Sequence, residues 1–225
     1  MKRVVLTRES PRNDELRDVL SATFTVFEVP ATFTEEFSAA EVCVAFDALH
    51  IQPATIVVTS ARSARALAAV LANIEVSPTV VAIGPATLRA LEHVGLHGAT
   101  MAPEASATAV GAMPLTTPIL SVGAEAPRPE LTETLAQRGL SSTHLVAYRT
   151  VPRTLSEAEQ RLVAEADAVV VAAPSAWRVV KSLVSPTSVV VVPGETTAGE
   201  VRATHGRVVV AASTQEIQRS LASSI

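Results

Sequence analysis

Residues 80–95 read VVAIGPATLRALEHVG, and residues 189–206 read VVVVPGETTAGEVRATHG. In each, a four-residue apolar run suited to a buried strand passes through a glycine-containing turn into helical spacing. A threonine heads each helical stretch, at Thr87 and Thr197, 110 residues apart. Two further segments repeat in the same order. TIVVTSARSARALAAV (55–70) matches AVVVAAPSAWRVVKSL (168–183), with 113 residues between Thr59 and Ala172. VLTRESPRNDELRDVL (5–20) matches LSVGAEAPRPELTETL (120–135) at a spacing of 115. One match between valine-rich strands means little, because such strands resemble each other anyway. Three in order indicate an internal duplication with halves meeting near residue 115.

The same alternation runs through the whole chain. Strands are expected at 3–7, 25–30, 55–60, 80–83, 118–122, 143–148, 168–173, 188–192 and 207–211, with helices between most of them. Strands apolar throughout, separated by helices, predict α/β architecture with parallel sheets covered on both faces. Gly95, Gly139 and Gly206 fall where helices end and are expected as left-handed caps. EVPATFTEEF (28–37) and AYRTVPRTL (147–155) are extended, proline-containing and without helical periodicity, so they read as paired crossovers. The expected division is lobe 1 from 1–30 plus 152–225, lobe 2 from 37–145, and linker strands at 31–36 and 146–151.

At 225 residues and 48% hydrophobic, the chain can supply two small domains with a core each. The net charge of -4 speaks against nucleic-acid coating, so an anionic ligand must meet a local positive site. Cys43 is the single cysteine, which rules out an intrachain disulfide and fits a reducing compartment. The opening MKRVVLTRES returns to charge at Arg8 and lacks a signal-peptide core. No run approaches the ~18 apolar residues of a membrane helix, so a soluble, cytoplasmic protein is expected. The five histidines show no HExxH or related pairing, and no metal site is expected.

In open parallel sheets, ligands bind beyond the carboxyl ends of the strands. The residues there are Thr7-Arg8, Thr59-Ser60, Gly84 to Thr87, Gly123, Pro174-Ser175 and Gly194 to Thr197. Small, hydroxyl-bearing residues that open helices offer unpaired N–H groups and part of a positive charge, a setting for anions. The plainer reading of any one of them is a helix cap worth about 1 kcal/mol. Motifs for dinucleotides (GxGxxG), nucleoside triphosphates (GxxxxGK[ST]), a hydrolase elbow (GxSxG) and calcium (DxDxDG) are all absent.

Taken in order, VLTRES, VVTSARSARAL, AIGPATLRALEHVGL, ILSVGAEAPRPELTETLAQRGL, VAYRTVP, AAPSAWRVV and GETTAGEV resemble the uroporphyrinogen-III synthase family of tetrapyrrole biosynthesis over nearly the whole chain. The resemblance implies two flavodoxin-like lobes joined by a two-stranded linker. It also implies a cofactor-free reaction, in which linear hydroxymethylbilane, with eight carboxylate arms, closes to uroporphyrinogen III with ring D inverted and water lost. Tyr148, the only tyrosine, matches the family's crossover tyrosine, whose phenol can donate a hydrogen bond to the departing ring A hydroxyl. Thr87 matches the threonine of the first G-x-x-T turn, and Thr197 the second of the T-T pair, beside Thr196. Ser60 matches the T-S turn and Ser175 the second-lobe S-P-S-like turn, with Arg8 and Arg62 as candidate carboxylate ligands near the same strand ends.

The implied partners are hydroxymethylbilane and, transiently, hydroxymethylbilane synthase (porphobilinogen deaminase). Neither nucleic acid nor membrane is implied, and a monomer is expected. The chain departs from the family pattern at Ala172 to Ser175 and at Pro193-Gly194-Glu195, where Glu195 sets a negative charge beside a carboxylate turn. Two other readings stay open: a non-catalytic two-lobed binding protein for a small polyanionic ligand, and an inactive paralogue that keeps only the fold.

Overall fold

Valine-rich runs that are apolar on both sides need helices on both sides, which parallel connections provide. In the computed structural model, which describes residues 1–74 and 76–225, the chain forms two such sheets. The strands are β1 (Arg3–Leu6), β2 (Thr25–Glu28), β3 (Thr32–Glu36), β4 (Thr55–Val58), β5 (Thr79–Ala82), β6 (Thr100–Met101), β7 (Ile119–Ala124), β8 (Ser142–Pro152), β9 (Ala168–Val170), β10 (Val189–Val192) and β11 (Val208–Val210). The helices are α1 (Asp14–Ser21), α2 (Ala39–Ala48), α3 (Ala64–Leu71), α4 (Pro85–His93), α5 (Ala107–Ala112), α6 (Glu130–Gln137), α7 (Glu157–Ala164), α8 (Pro174–Val180), α9 (Glu195–Arg202) and α10 (Thr214–Ser224).

Two units divide the chain: Met1–Phe33 with Thr150–Ile225, and Thr34–Arg149. The sheet of the first unit runs β2-β1-β9-β10-β11. That of the second runs β8-β7-β4-β5-β6, with β3 on the outer side of β8. With β1 and β7 counted as first strands, both follow the flavodoxin-like order 2-1-3-4-5. The duplicated segments occupy matching places: β1 and β7 are first, β9 and β4 third, β10 and β5 fourth. The registered pairs between these strands are parallel, Val4 facing Val26 and Ala168 in one sheet, Ile56 facing Val80 and Leu120 in the other.

Alternation along each buried strand feeds two cores. In the first unit Val5, Val190 and Val192 pack with Trp177 on one side, and Val4, Leu6 and Val191 with Leu20 and Leu221 on the other. In the second, Ile56, Val58 and Leu120 pack with Leu67 and Leu91, while Val57, Val81 and Ile119 pack with Leu131 and Leu135. Each such aliphatic side chain stabilises by roughly 1.5–3 kcal/mol relative to exposure.

Three local expectations change. Gly206 does not adopt a left-handed cap, unlike Gly95 (φ 86°) and Gly139 (φ 68°). The α9 helix stops at Arg202, and Thr204 and His205 return their N–H groups to Val201 O, so the turn closes before Gly206. The cap at the end of α2 is instead His50, at φ 48°. The two-residue strand β6 lies where no strand is expected from pattern alone.

Candidate functional site

Seven of the helix starts fall into two kinds. Serine Oγ atoms close α2, α5, α7 and α10, with Ser38, Ser106, Ser156 and Ser213 each accepting a backbone N–H from the first turn. No side chain caps α4, α8 or α9, whose N-cap residues Gly84, Ala173 and Gly194 have extended backbones. Their first N–H groups therefore stay open beside the carboxyl ends of β5, β9 and β10.

Thr87 and Thr197 take the same place, third in α4 and third in α9. They are only 4% and 5% exposed. Among the described residues neither hydroxyl bonds to a protein group, so neither threonine is a cap. Thr196 is exposed beside Thr197, and Ser175 is half-buried as the second residue of α8. Glu195 pairs with Arg202 at 2.6 Å, so its charge is matched on its own helix. Ser60 does act as a cap, accepting Arg62 N–H at 3.3 Å to open the short 3-10 turn Ala61–Ser63 ahead of α3.

Ser60 and Tyr148 line one cavity of about 530 Å³ in the second unit. That is the size of a small-molecule site, about 300–1,000 Å³. It lies by the β4–β7 neighbours, between the first and third strands, where the strand order reverses. On β8, His144 and Tyr148 both face it. A bulge sets Gly123 against Val146 but Ala124 against Tyr148, leaving Ala147 without a counterpart. The Arg62 guanidinium lies over the Tyr148 ring, 5.7 Å from its centroid, a cation–π arrangement. No protein group among the described residues bonds to the Tyr148 hydroxyl.

The wall behind these residues is closely fitted. His144 Nε2 is 2.8 Å from Ala124 O; a carbonyl only accepts, so Nε2 carries the hydrogen. In the neutral ring Nδ1 then accepts from Ser121 Oγ, 2.9 Å away. Thr59 Oγ1 donates to Val122 O at 3.1 Å. A Cβ on Gly123 would stand 2.1 Å from that Oγ1, so only glycine fits there. Sequence reasoning passed over Ser121, His144 and the cavity-lining Arg128. The even spacing of His144 and Tyr148 in THLVAY was the available signal for the histidine.

Of the residues singled out from sequence, Ser60, Arg62 and Tyr148 come together, while Thr87 stands at the neighbouring helix start and does not line the cavity. Ser175, Thr196 and Thr197 belong to the other unit, where Arg8 lines a smaller cavity of about 160 Å³. Two nearby arginines are engaged elsewhere: Arg149 with Glu35 at 2.7 Å, and Arg178 with both oxygens of Glu200 at 2.7 and 2.9 Å. Among the described residues no group of His, Cys, Asp and Glu gathers to hold a metal ion. No helix among them is long and apolar enough to cross a membrane.

A duplicated chain folded into two flavodoxin-like units, with uncapped helix starts at matching strand ends, defines a two-unit α/β protein of parallel-sheet topology. The family model described as uroporphyrinogen-III synthase HemD matches residues 14–222. The chain belongs to the uroporphyrinogen-III synthase family. No curated protein sequence gave a significant match. Among solved structures, a mutant uroporphyrinogen III synthase from Thermus thermophilus aligns at TM-score 0.60 and 20% identity, over 99% of this chain and 100% of that one. A uroporphyrinogen-III synthetase from Helicobacter pylori aligns at TM-score 0.61 and 13% identity, over 99% of each chain. At such identities these two likenesses establish the fold.

Proposed function

We propose that this protein is a lyase that closes hydroxymethylbilane to uroporphyrinogen III, inverting ring D and releasing water, without a cofactor. The observation that carries the reading is Tyr148, whose hydroxyl has no protein partner among the described residues beside a ring-sized cavity and whose ring lies under Arg62. In this reading the phenol donates to the departing ring A hydroxyl, which leaves as water, and the nearby guanidinium favours the electron-rich side of the breaking bond. The open starts of α4, α8 and α9, with Thr87, Ser175, Thr196 and Thr197, hold carboxylate arms, as do Arg8 and Arg62, while Ser60 shapes the cavity mouth. Holding the chain in one geometry does the rest, because ring closure is intramolecular and orientation decides the isomer.

The segments 31–36 and 146–151 serve as linker strands in this reading. The protein acts as a cytoplasmic monomer that receives its substrate from the preceding deaminase. The test is a coupled assay: generate hydroxymethylbilane with a deaminase, add the protein, oxidise the products and separate the porphyrin isomers. Predominant isomer III is expected. Isomer I alone, the product of spontaneous closure, from folded protein would overturn the reading.

A further inference from the structure

Ser121 on β7 and His144 on β8 stand opposite each other in register, and both line the second-unit cavity. The first unit carries Leu6 at the place of Ser121, 115 residues earlier, with Glu28 opposite it. Leu6 is fully buried in the core, and Glu28 is paired with Arg17 at 3.1 Å. The first two strands of this fold therefore pair without a serine–histidine bond. The 2.9 Å contact between Ser121 Oγ and His144 Nδ1 is an addition of the second unit, made where the cavity lies.

The network around the ring fits both of its charge states. In the neutral ring, Nε2–H donates to Ala124 O and Nδ1 accepts from Ser121 Oγ. Ser121 Oγ also has Thr143 O at 3.3 Å as a second acceptor. When a proton from solvent adds to Nδ1, the new N–H donates to Ser121 Oγ, and the serine's own hydrogen turns to Thr143 O. Nε2–H stays on Ala124 O, so one hydroxyl rotation accommodates the charge and no heavy atom has to move.

We propose that His144 is a binding residue that takes up a proton with its ligand: a carboxylate entering the second-unit cavity is met by the His144 imidazolium, formed with one proton from solvent. The wall is already rich in donors. Ser60 and Ser106 accept backbone N–H groups and still have a hydroxyl hydrogen to give, and Thr108 and Thr132 add two more hydroxyls. The charged lining groups besides His144 are Arg128 and Glu130, at the start of α6, whose charges cancel. Tyr148 lines the same cavity with Arg62 over its ring, and Glu125, next to Ala124, lies outside the lining. A proton on His144 thus gives the wall the net positive charge that an anion needs. An opposite charge favours the charged ring, and by linkage the charged ring strengthens anion binding by the same factor.

The carboxylate class rests on the substrate proposed above; the proton site rests on Ser121, Thr143, His144 and Ala124. The test is a titration of the isotope-labelled full chain with sodium propionate, against sodium chloride at equal ionic strength, read at the Ala126 amide and the histidine rings. A single carboxylate should bind in the millimolar range. Measurements at about pH 6 and about pH 9 span ordinary imidazole titration and leave propionate ionised. Propionate should bind about tenfold more weakly at the higher pH, and it should raise the pH at which the His144 ring titrates. His144→Gln keeps hydrogen-bonding groups at that place but cannot take the proton, so its propionate affinity should be the same at both pH values. Ser121→Ala keeps the ring and removes the acceptor of the charged Nδ1–H, so the pH dependence should shrink. No saturable response at pH 6, equal wild-type affinity at both pH values, an unchanged pH dependence in either variant, or a response matched by chloride would each overturn the proposal. A pH-dependent propionate site in a protein that yields only isomer I would sink the proposed function and leave this inference standing. Isomer III from a protein whose site ignores pH would do the reverse.

Discussion

The Arg62 guanidinium lies over the Tyr148 ring, 5.7 Å from its centroid, while the phenol oxygen has no protein partner among the described residues. The ring is held by Arg62 on one face and by the second-unit core, so loss of the hydroxyl removes a donor without removing packing. Tyr148→Phe should lower kcat about tenfold or more, the scale of one proton donor, with Tm unchanged. Isomer-resolved kinetics and a thermal melt check both halves. Unchanged turnover would take Tyr148 out of the chemistry.

Thr87 and Thr197 are buried at matching positions with hydroxyls that bond to no protein group among the described residues. Valine keeps their shape and removes only the hydroxyl, so each Thr→Val variant should be as stable as the wild type. If the hydroxyls meet carboxylates, KM should rise by about tenfold for each, the worth of a hydrogen bond to a charged group. A loss of stability with KM unchanged would make them structural.

Most of the architecture was legible because the strands are apolar on both faces and repeat in order. The missed strand had no such signal: β6 is two residues, Thr100–Met101, in a loop. The candidate site was legible at strand ends, which sequence locates, but not in its depth. Ser121, His144 and Arg128 meet only because β7, β8 and the α6 start converge, a tertiary relation that spacing along the chain cannot express. Glu195 shows the reverse case: its charge looked adverse until the fold placed Arg202 beside it.

Acid should act through carboxylates held in their charged form. The Arg3 backbone N–H and the Lys2 ammonium hold the Asp167 carboxyl below its ordinary range, and the Ser156 backbone N–H and hydroxyl do the same for Glu159. A carboxyl lowered in the folded state stabilises above its unfolded pKa, about 4, and loses that contribution as pH falls through the folded value. Tm should therefore hold level from neutral pH down to about 5 and drop below about 4. Asp167→Asn should lower Tm at pH 7 and flatten the acid limb. An acid limb identical to wild type would show that Asp167 contributes nothing to it.

Gly123 and Thr59 define the tightest fit at the cavity wall. A Cβ at residue 123 would meet Thr59 Oγ1 at 2.1 Å, while Thr59 Cβ would be 3.5 Å away, an ordinary contact. The clash is thus with a single oxygen, which is itself bonded to Val122 O. Gly123→Ala should destabilise by about 1–3 kcal/mol, the usual cost of overpacking, and distort the wall beside His144. Thr59→Ala alone should cost about 1 kcal/mol for the lost hydrogen bond. The double variant Thr59→Ala/Gly123→Ala removes the oxygen that clashes, so it should be more stable than Gly123→Ala by itself. Thermal melts of the four proteins measure the coupling directly. Additive losses would place the strain of the glycine substitution in the backbone and not against Thr59.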